Sequence, residues 1–279
     1  MKRKVIIITS LAIVFILAVC AVSIKAVVDS SKYVEIKSSE LIDLDKSDLV
    51  ENDRNLFKRD AAPKTRVAVL YDGTEVEVTY NESDKDRDYY IDADEKTFVY
   101  TFEGKLTGYG ILIDFLHETD PHLSQSELEK IAITAAKGFL KEDYDGYVLD
   151  NLSPGTTSSE GVLNYYAFFS KHYGENGFVK GEQFTVGLMP NGKVNSCIMS
   201  AYGSLDDFDP DSLNGITLND AKNAVKERLI NDYGDSVESF ELEQISISNM
   251  KGDYYLNICV AVEFSKGHSM GKVYCHKLS

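Results

Sequence analysis

The chain has 279 residues and a formal net charge of −16, with 45 Asp and Glu against 29 Lys and Arg. A field of that sign repels phosphate backbones and anionic lipid surfaces, so no nucleic-acid partner is expected and cations, basic peptides or basic wall components are favoured. Four cysteines are too few for a disulfide scaffold.

Met1-Lys2-Arg3-Lys4 runs directly into an apolar, charge-free segment at residues 5–24. As a helix, such a segment rises roughly 30 Å, the thickness of a bilayer's hydrocarbon core. Cations precede it and a long acidic polypeptide follows, so the positive-inside bias sets the orientation. The reading is a cytoplasmic stub at 1–4 and a transmembrane anchor at 5–28, single-pass at the cell membrane. It is N-in and C-out, with the bulk of the chain extracytoplasmic. A cleaved secretory signal is the alternative, with Ala21-Val22-Ser23 as the cleavage site. Residues 29–65 are polar and charged with scattered Leu, Ile and Phe, and read as a juxtamembrane stalk, partly helical, that packs on the following sheet.

A β-rich region at 66–122 comes next. Val67, Val69 and Tyr71 alternate on one side of Asp72-Gly73, and Val76, Val78 and Tyr80 on the other, which predicts a hairpin. A second β pair is predicted from Tyr89-Tyr90-Ile91 through Phe98 to Phe102, followed by a turn at Glu103-Gly104-Lys105 into residues 109–115.

Ser124-Gln125-Ser126-Glu127 is a capping box. It predicts a helix to about residue 140 whose buried stripe is Leu128, Ile131, Ala132, Ala135, Ala136, Phe139 and Leu140. Strands are expected at 163–170, 184–189 and 193–199, the last two joined by Pro190-Asn191-Gly192. The pattern then recurs. Thr217-Leu218-Asn219-Asp220 opens a helix carrying Leu218, Ala221, Ala224, Val225 and Leu229, and strands follow at 239–248, 254–264 and 271–278. The expected fold class is α+β: an N-terminal transmembrane helix, a β-rich region, and two tandem helix-plus-antiparallel-sheet units at 123–212 and 213–279.

These two units resemble the PepSY class of bacterial exported domains over residues 124–278. The first unit supplies Ile131-Ala132-Ile133-Thr134-Ala135-Ala136 and the hairpin from Phe184-Thr185-Val186 to Gly192-Lys193-Val194. The second supplies Asp220-Ala221-Lys222-Asn223-Ala224-Val225, Val260-Ala261-Val262-Glu263-Phe264 and Gly271-Lys272-Val273. The resemblance implies a non-catalytic envelope module that binds or restrains partner proteins, peptidases among them.

The candidate chemical sites are weak. His117-Glu118 invites comparison with HExxH, but the next histidine is His122, and Pro121 breaks the helix that zinc ligation needs. Asp84, Asp86, Asp88, Asp92 and Glu95 take the spacing of an EF-hand calcium loop. Tyr89, however, stands where that loop needs Gly, and Lys85 and Arg87 interleave positive charge, so a solvated loop is expected there. Nucleotide-binding and nucleophile motifs are absent, so no catalytic residue and no cofactor is expected. Cys259 and Cys275 lie on neighbouring predicted strands, close enough to meet. The runs Tyr165-Tyr166-Ala167-Phe168-Phe169 and Tyr254-Tyr255 put aromatics on both sheet faces, and the outward rings are the candidate contact surface. The expected role is binding or modulating an envelope protein. An exported hydrolase with an unrecognised site and a structural subunit of an envelope complex are the alternatives.

Overall fold

The computed structural model describes residues 36–47, 49, 56–110, 122–155, 157–158, 161–162, 164–199, 205, 207–265 and 267–278. The stub, the segment read as anchor or signal, and the beginning of the stalk lie outside them. Among the described residues no helix is long and apolar enough to cross a membrane.

In chain order, β1 (Ile42–Asp43) is followed by an antiparallel meander of β2 (Thr65–Val69), β3 (Glu75–Ser83), β4 (Arg87–Ile91), β5 (Thr97–Thr101) and β6 (Leu106–Gly110). Helix α1 (Gln125–Leu140) leads into β7 (Tyr147–Pro154), the short pair β8 (Thr157–Ser158) and β9 (Gly161–Val162), then β10 (Tyr165–Tyr173), β11 (Val179–Leu188) and β12 (Val194–Met199). Helix α2 (Leu218–Tyr233) precedes β13 (Val237–Met250), β14 (Asp253–Phe264) and β15 (His268–Lys277). The meander's first turn is the expected one: Asp72 Oδ1 accepts the Thr74 N–H at 3.0 Å, and Gly73 takes a φ of +86°.

The arrangement overturns the tandem α+β expectation. Apart from β8 and β9, all strands belong to one 13-stranded mixed sheet in the order β1-β15-β14-β13-β11-β12-β6-β5-β4-β3-β2, with β10 beside β11 and β7 beside β10. The β-rich region is therefore an extension of the first helix's own sheet. The reason lies at two joints. Gly108 on β6 lets β12 approach, since a Cβ there would stand only 3.1 Å from the Cys197 carbonyl. At the second joint β11 meets β13 in parallel at Lys180 and Ser246. Alternating apolar residues define strands but carry no information on which free edge a strand takes.

Both helices lie on the same face. The Glu127 carboxylate accepts the backbone N–H of Ser124 at 2.9 Å, and Thr217 and Asp220 cap α2 reciprocally, each backbone N–H bonding the other side chain at 3.1 Å. Helix α1 buries Leu128, Ala132, Ala135, Ala136 and Leu140 against Phe98, Tyr109, Phe169, Phe184 and Val186. Helix α2 buries Ala221, Ala224, Val225 and Leu229 against Ile245, Ile258, Val260 and Tyr274. Burying each such Leu, Ile or Val contributes about 1.5–3 kcal/mol.

The described part of the expected stalk divides: residues 56–64 lie on the following sheet as expected, where Phe57 bridges Ser83 and Arg59 reaches Asp88 and the Phe102 ring, whereas residues 36–47 pack in the second half. Ile36 and Leu41 enter the core under α2, β1 pairs with β15, and Arg228 Nη1 donates to the Leu41 carbonyl at 3.1 Å. Buried Lys272 on β15 donates to Asp43 at 3.1 and 3.2 Å and to Asp45 at 2.7 Å. Burial alone would raise the Asp43 carboxyl, but the Lys272 hydrogen bond and charge, with help from Lys46, hold it below its ordinary 3.8. Burial would likewise lower Lys272, and the bonds to Asp45 and Asp43 raise it above its ordinary 10.5.

Two predictions follow from this packing. Gly138 of α1 sits under the β2–β3 hairpin, where an added Cβ would overlap the Tyr71 carbonyl. Ala normally stabilises a helix by about 1 kcal/mol over Gly. Here Gly138→Ala is expected to lower stability by about 1–3 kcal/mol in denaturant unfolding, and a gain would contradict the hairpin-on-helix contact. Lys272→Met strands a buried carboxylate and is expected to cost about 3–5 kcal/mol, with partial recovery in the double variant carrying Asp43→Asn. The sign of each shift fixes the pH window. The pair's contribution is complete above 3.8 and below 10.5. It is lost as pH falls through the lowered Asp43 value or rises through the raised Lys272 value, which a pH series of unfolding midpoints will show.

Candidate functional site

With both helices on one side, no helix among the described residues lies over the opposite face of the first half. Phe168, Thr185, Ile198, Gly108, Val99 and Tyr89 stand in register across β10, β11, β12, β6, β5 and β4. Phe168 is 38% exposed, Ile198 45%, and Val148 on β7, across from Ser170, 55%. The Tyr166 and Phe168 rings lie 6.3 Å apart on this face. Gly108 contributes no side chain and is itself buried, with Ile198 packed close beside it. Single exposed apolar residues are ordinary, whereas a contiguous apolar surface on a sheet marks an interaction site. The outward rings expected from the Tyr165–Phe169 run are therefore real for Phe168, while Ala167 and Phe169 turn into the core. In the second half, Tyr255 is buried.

A polar cluster borders the apolar surface. A bulge between Leu149 and Asn151 leaves Asp150 unpaired on β7, and a second bulge on β11 brings Lys180 opposite His172. Asp150, with its side chain 12% exposed, accepts from Lys180 Nζ at 2.8 Å, from His172 Nε2 at 2.7 Å and from Ser170 Oγ. Burial would raise this carboxyl; the bonds from Lys180, Ser170 and His172 outweigh it and hold the group below the usual carboxylate range. Although Ser, His and Asp meet here, they are wired for structure. Ser170 donates to the carboxylate, and His172 uses its other nitrogen, Nδ1, on the Gly177 carbonyl at 2.8 Å, so neither ring nitrogen is left to take the serine proton. The cluster is not catalytic. It fixes one border of the apolar surface.

The carboxylates with calcium-loop spacing are dispersed. Asp84, Asp86 and Asp88 belong to the β3–β4 hairpin, and Asp92 and Glu95 to the β4–β5 turn. The length of β4 separates the two groups by roughly 13 Å, against ligand distances of about 2.3–2.6 Å around one calcium ion. Most are also engaged. Asp84 accepts the N–H groups of Asp86 and Arg87 and the Tyr89 hydroxyl at 2.7–2.8 Å. Asp88 is buried, accepting from Ser83 Oγ at 2.7 Å and pairing with Arg59 at 3.3 Å, and Asp92 accepts the Asp94 and Lys96 N–H groups at 2.9 Å. Asp86 and Glu95 are exposed.

His117 lies outside the described residues, and His122 is exposed just before α1. Cys259 and Cys275 do not form a pair. Cys275 is across from Asn257 and Cys259 across from Val273, and the Cys275 thiol donates to Asn257 Oδ1 at 3.1 Å. Burial pushes the Cys197 and Cys275 thiols up to about 12, which makes them inert packing groups. The Asp150 cluster had no local sequence signal, because it is assembled by bulges in β7 and β11.

Replacing Lys180 by Met removes the strongest hydrogen-bond partner of Asp150. The Asp150 carboxyl is then expected to titrate at higher pH, read by NMR. The acid-unfolding midpoint should move to higher pH with it, because a smaller depression leaves less stability to be held above the ordinary carboxylate value. An unmoved titration contradicts the network. Compared with protein-family models, with curated proteins and with solved structures, the chain matches none.

Proposed function

We propose that this chain is a non-catalytic, membrane-anchored extracytoplasmic protein that binds and modulates an envelope partner protein through the helix-free face of its first half. The observation that carries the reading is the exposed row on that face. Phe168, Ile198 and Val148 keep large apolar side chains in water, bordered by the fixed Asp150, His172 and Lys180 group. Burying three such side chains against a partner would contribute roughly 25 cal/mol per Å² of apolar surface removed from water. The apolar segment at 5–24, with cations before it, supports the anchored, outward-facing placement. A peptidase is one class of partner on the sequence resemblance at 124–278 alone, since the tandem units which that resemblance implied are merged into one sheet.

The test uses the full chain in detergent micelles as bait for solubilised envelope proteins, beside a variant carrying Phe168→Asp and Ile198→Asp. Both positions are solvent-exposed, so the variant is expected to keep its unfolding midpoint. One protein should be recovered in stoichiometric amount by the wild-type chain and lost with the variant. Equal recovery by both baits contradicts the assignment of this face.

A further inference from the structure

The sheet's far margin is β2, and its outer edge is open. The turn bond from Leu70 N to the Thr74 carbonyl and the bond from Tyr80 N to the Lys64 carbonyl fix which residues bond β3. In the register Thr65↔Thr79 to Val69↔Glu75, the alternate residues Lys64, Arg66, Ala68 and Leu70 face β3. The N–H and C=O groups of Thr65, Val67 and Val69 therefore point away from the sheet. Among the described residues nothing pairs with them.

Natural sheets blunt such edges with bulges, internal proline or inward-pointing charge. In β2 the register with β3 is unbroken, and no proline stands within the strand. Arg66 is the one inward-pointing charge of β2, but it is already engaged on the helix side, where Nε donates to the Tyr90 hydroxyl at 2.9 Å and the guanidinium lies over the Tyr90 and Tyr100 rings, so an added strand leaves it paired. Val67, at 59% exposure, and Val69, at 39%, face away from the helices. Behind them on the same face stand the exposed Glu77 and Glu75, directly across from Val67 and Val69. Neither glutamate has an ion-pair partner among the described residues. The hairpin is held in place by the Gly138–Tyr71 contact beneath it.

From this geometry we infer that β2 accepts an added β-strand from a basic, extended peptide segment with Lys or Arg at alternate positions. The backbone of that segment completes the ladder at Thr65, Val67 and Val69. Its alternate side chains fall beside Val67 and Val69, two strand spacings, or roughly 10 Å, from the glutamates. Only a long side chain with an apolar stem and a cationic end covers the valines and also reaches the carboxylates, which describes Lys and Arg. The chain's overall acidity attracts the same class of partner. The inference rests on the proposed binding role and names the chemistry at one margin of that face.

The probe is a capped ten-residue peptide alternating Lys with Val and Thr, compared with the same peptide carrying Glu for Lys. Binding to the full chain in micelles is followed by fluorescence anisotropy, and the backbone by hydrogen exchange. The Lys peptide is expected to bind and to slow exchange at the amides of Thr65, Val67 and Val69. Its affinity should fall at least about tenfold in the variant with Glu75→Lys and Glu77→Lys, and the Glu peptide should not bind. Binding without protection of those amides, binding indifferent to the charge reversal, or protection of the same amides by self-association of the chain each overturns the proposal. Envelope capture that is lost with the Phe168 and Ile198 replacements but unaffected by the Glu75 and Glu77 reversal would sink the strand-addition site and leave the proposed function standing.

Discussion

Strand β11 is the element on which the rest of the structure depends. Along its length it pairs with β10, its C-terminal half pairs with β12, and Lys180 near its start bridges to β13. The bulge between Gln183 and Lys180 lets this one strand serve two cores. Before it Val179 packs under α2, and after it Phe184, Val186 and Leu188 pack under α1. Gly181 sits at the crossing, where a Cβ would overlap the Tyr173 ring. Without the bulge, strict two-residue alternation would put Val179 on the face opposite Phe184, and the two cores could not share one side of the sheet.

That single-sidedness has a functional consequence. An antiparallel sheet covered by helices on one side tolerates water on the other, provided the outer face is polar. In this chain the outer face of the first half instead carries Phe168, Ile198, Val148, Val67 and Val69 in exposed positions. Among the described residues nothing covers these side chains, and the proposed partner surface would account for their placement. Acidic groups at Glu75 and Glu77 and the fixed Asp150 cluster divide that surface into two ends of different chemistry.

Much of the local structure was legible in the sequence. Capping boxes at Ser124 and Thr217, the Asp72-Gly73 turn and the Leu128 to Leu140 stripe are short-range patterns in which a few neighbouring residues satisfy one another. Pairing between distant edges was not legible. The β6–β12 and β11–β13 joints depend on Gly108 and one backbone bridge, and a glycine in a strand does not announce its neighbour. Strand β7 was missed because Tyr147–Pro154 mixes Asp, Asn, Ser and Pro into its run and holds a bulge at Asp150. In β2 the alternation identifies two faces without saying which is buried, and here Ala68 takes the core side while Val67 and Val69 are exposed. The candidate surface was half visible, in the adjacent aromatics at 165–169. Its extent required the register of six strands.

The central claim is that the helix-free face is where the partner sits. The most direct measurement places a photo-crosslinking amino acid singly at Val148, Ile198 or Phe168, and as a control at Thr134 on the exposed side of α1, in the full chain expressed in its native membrane. The account predicts one common crosslinked protein from the three sheet-face positions and none from Thr134. Crosslinks that arise equally from α1, or that fail to converge on one protein from the sheet face, would contradict it.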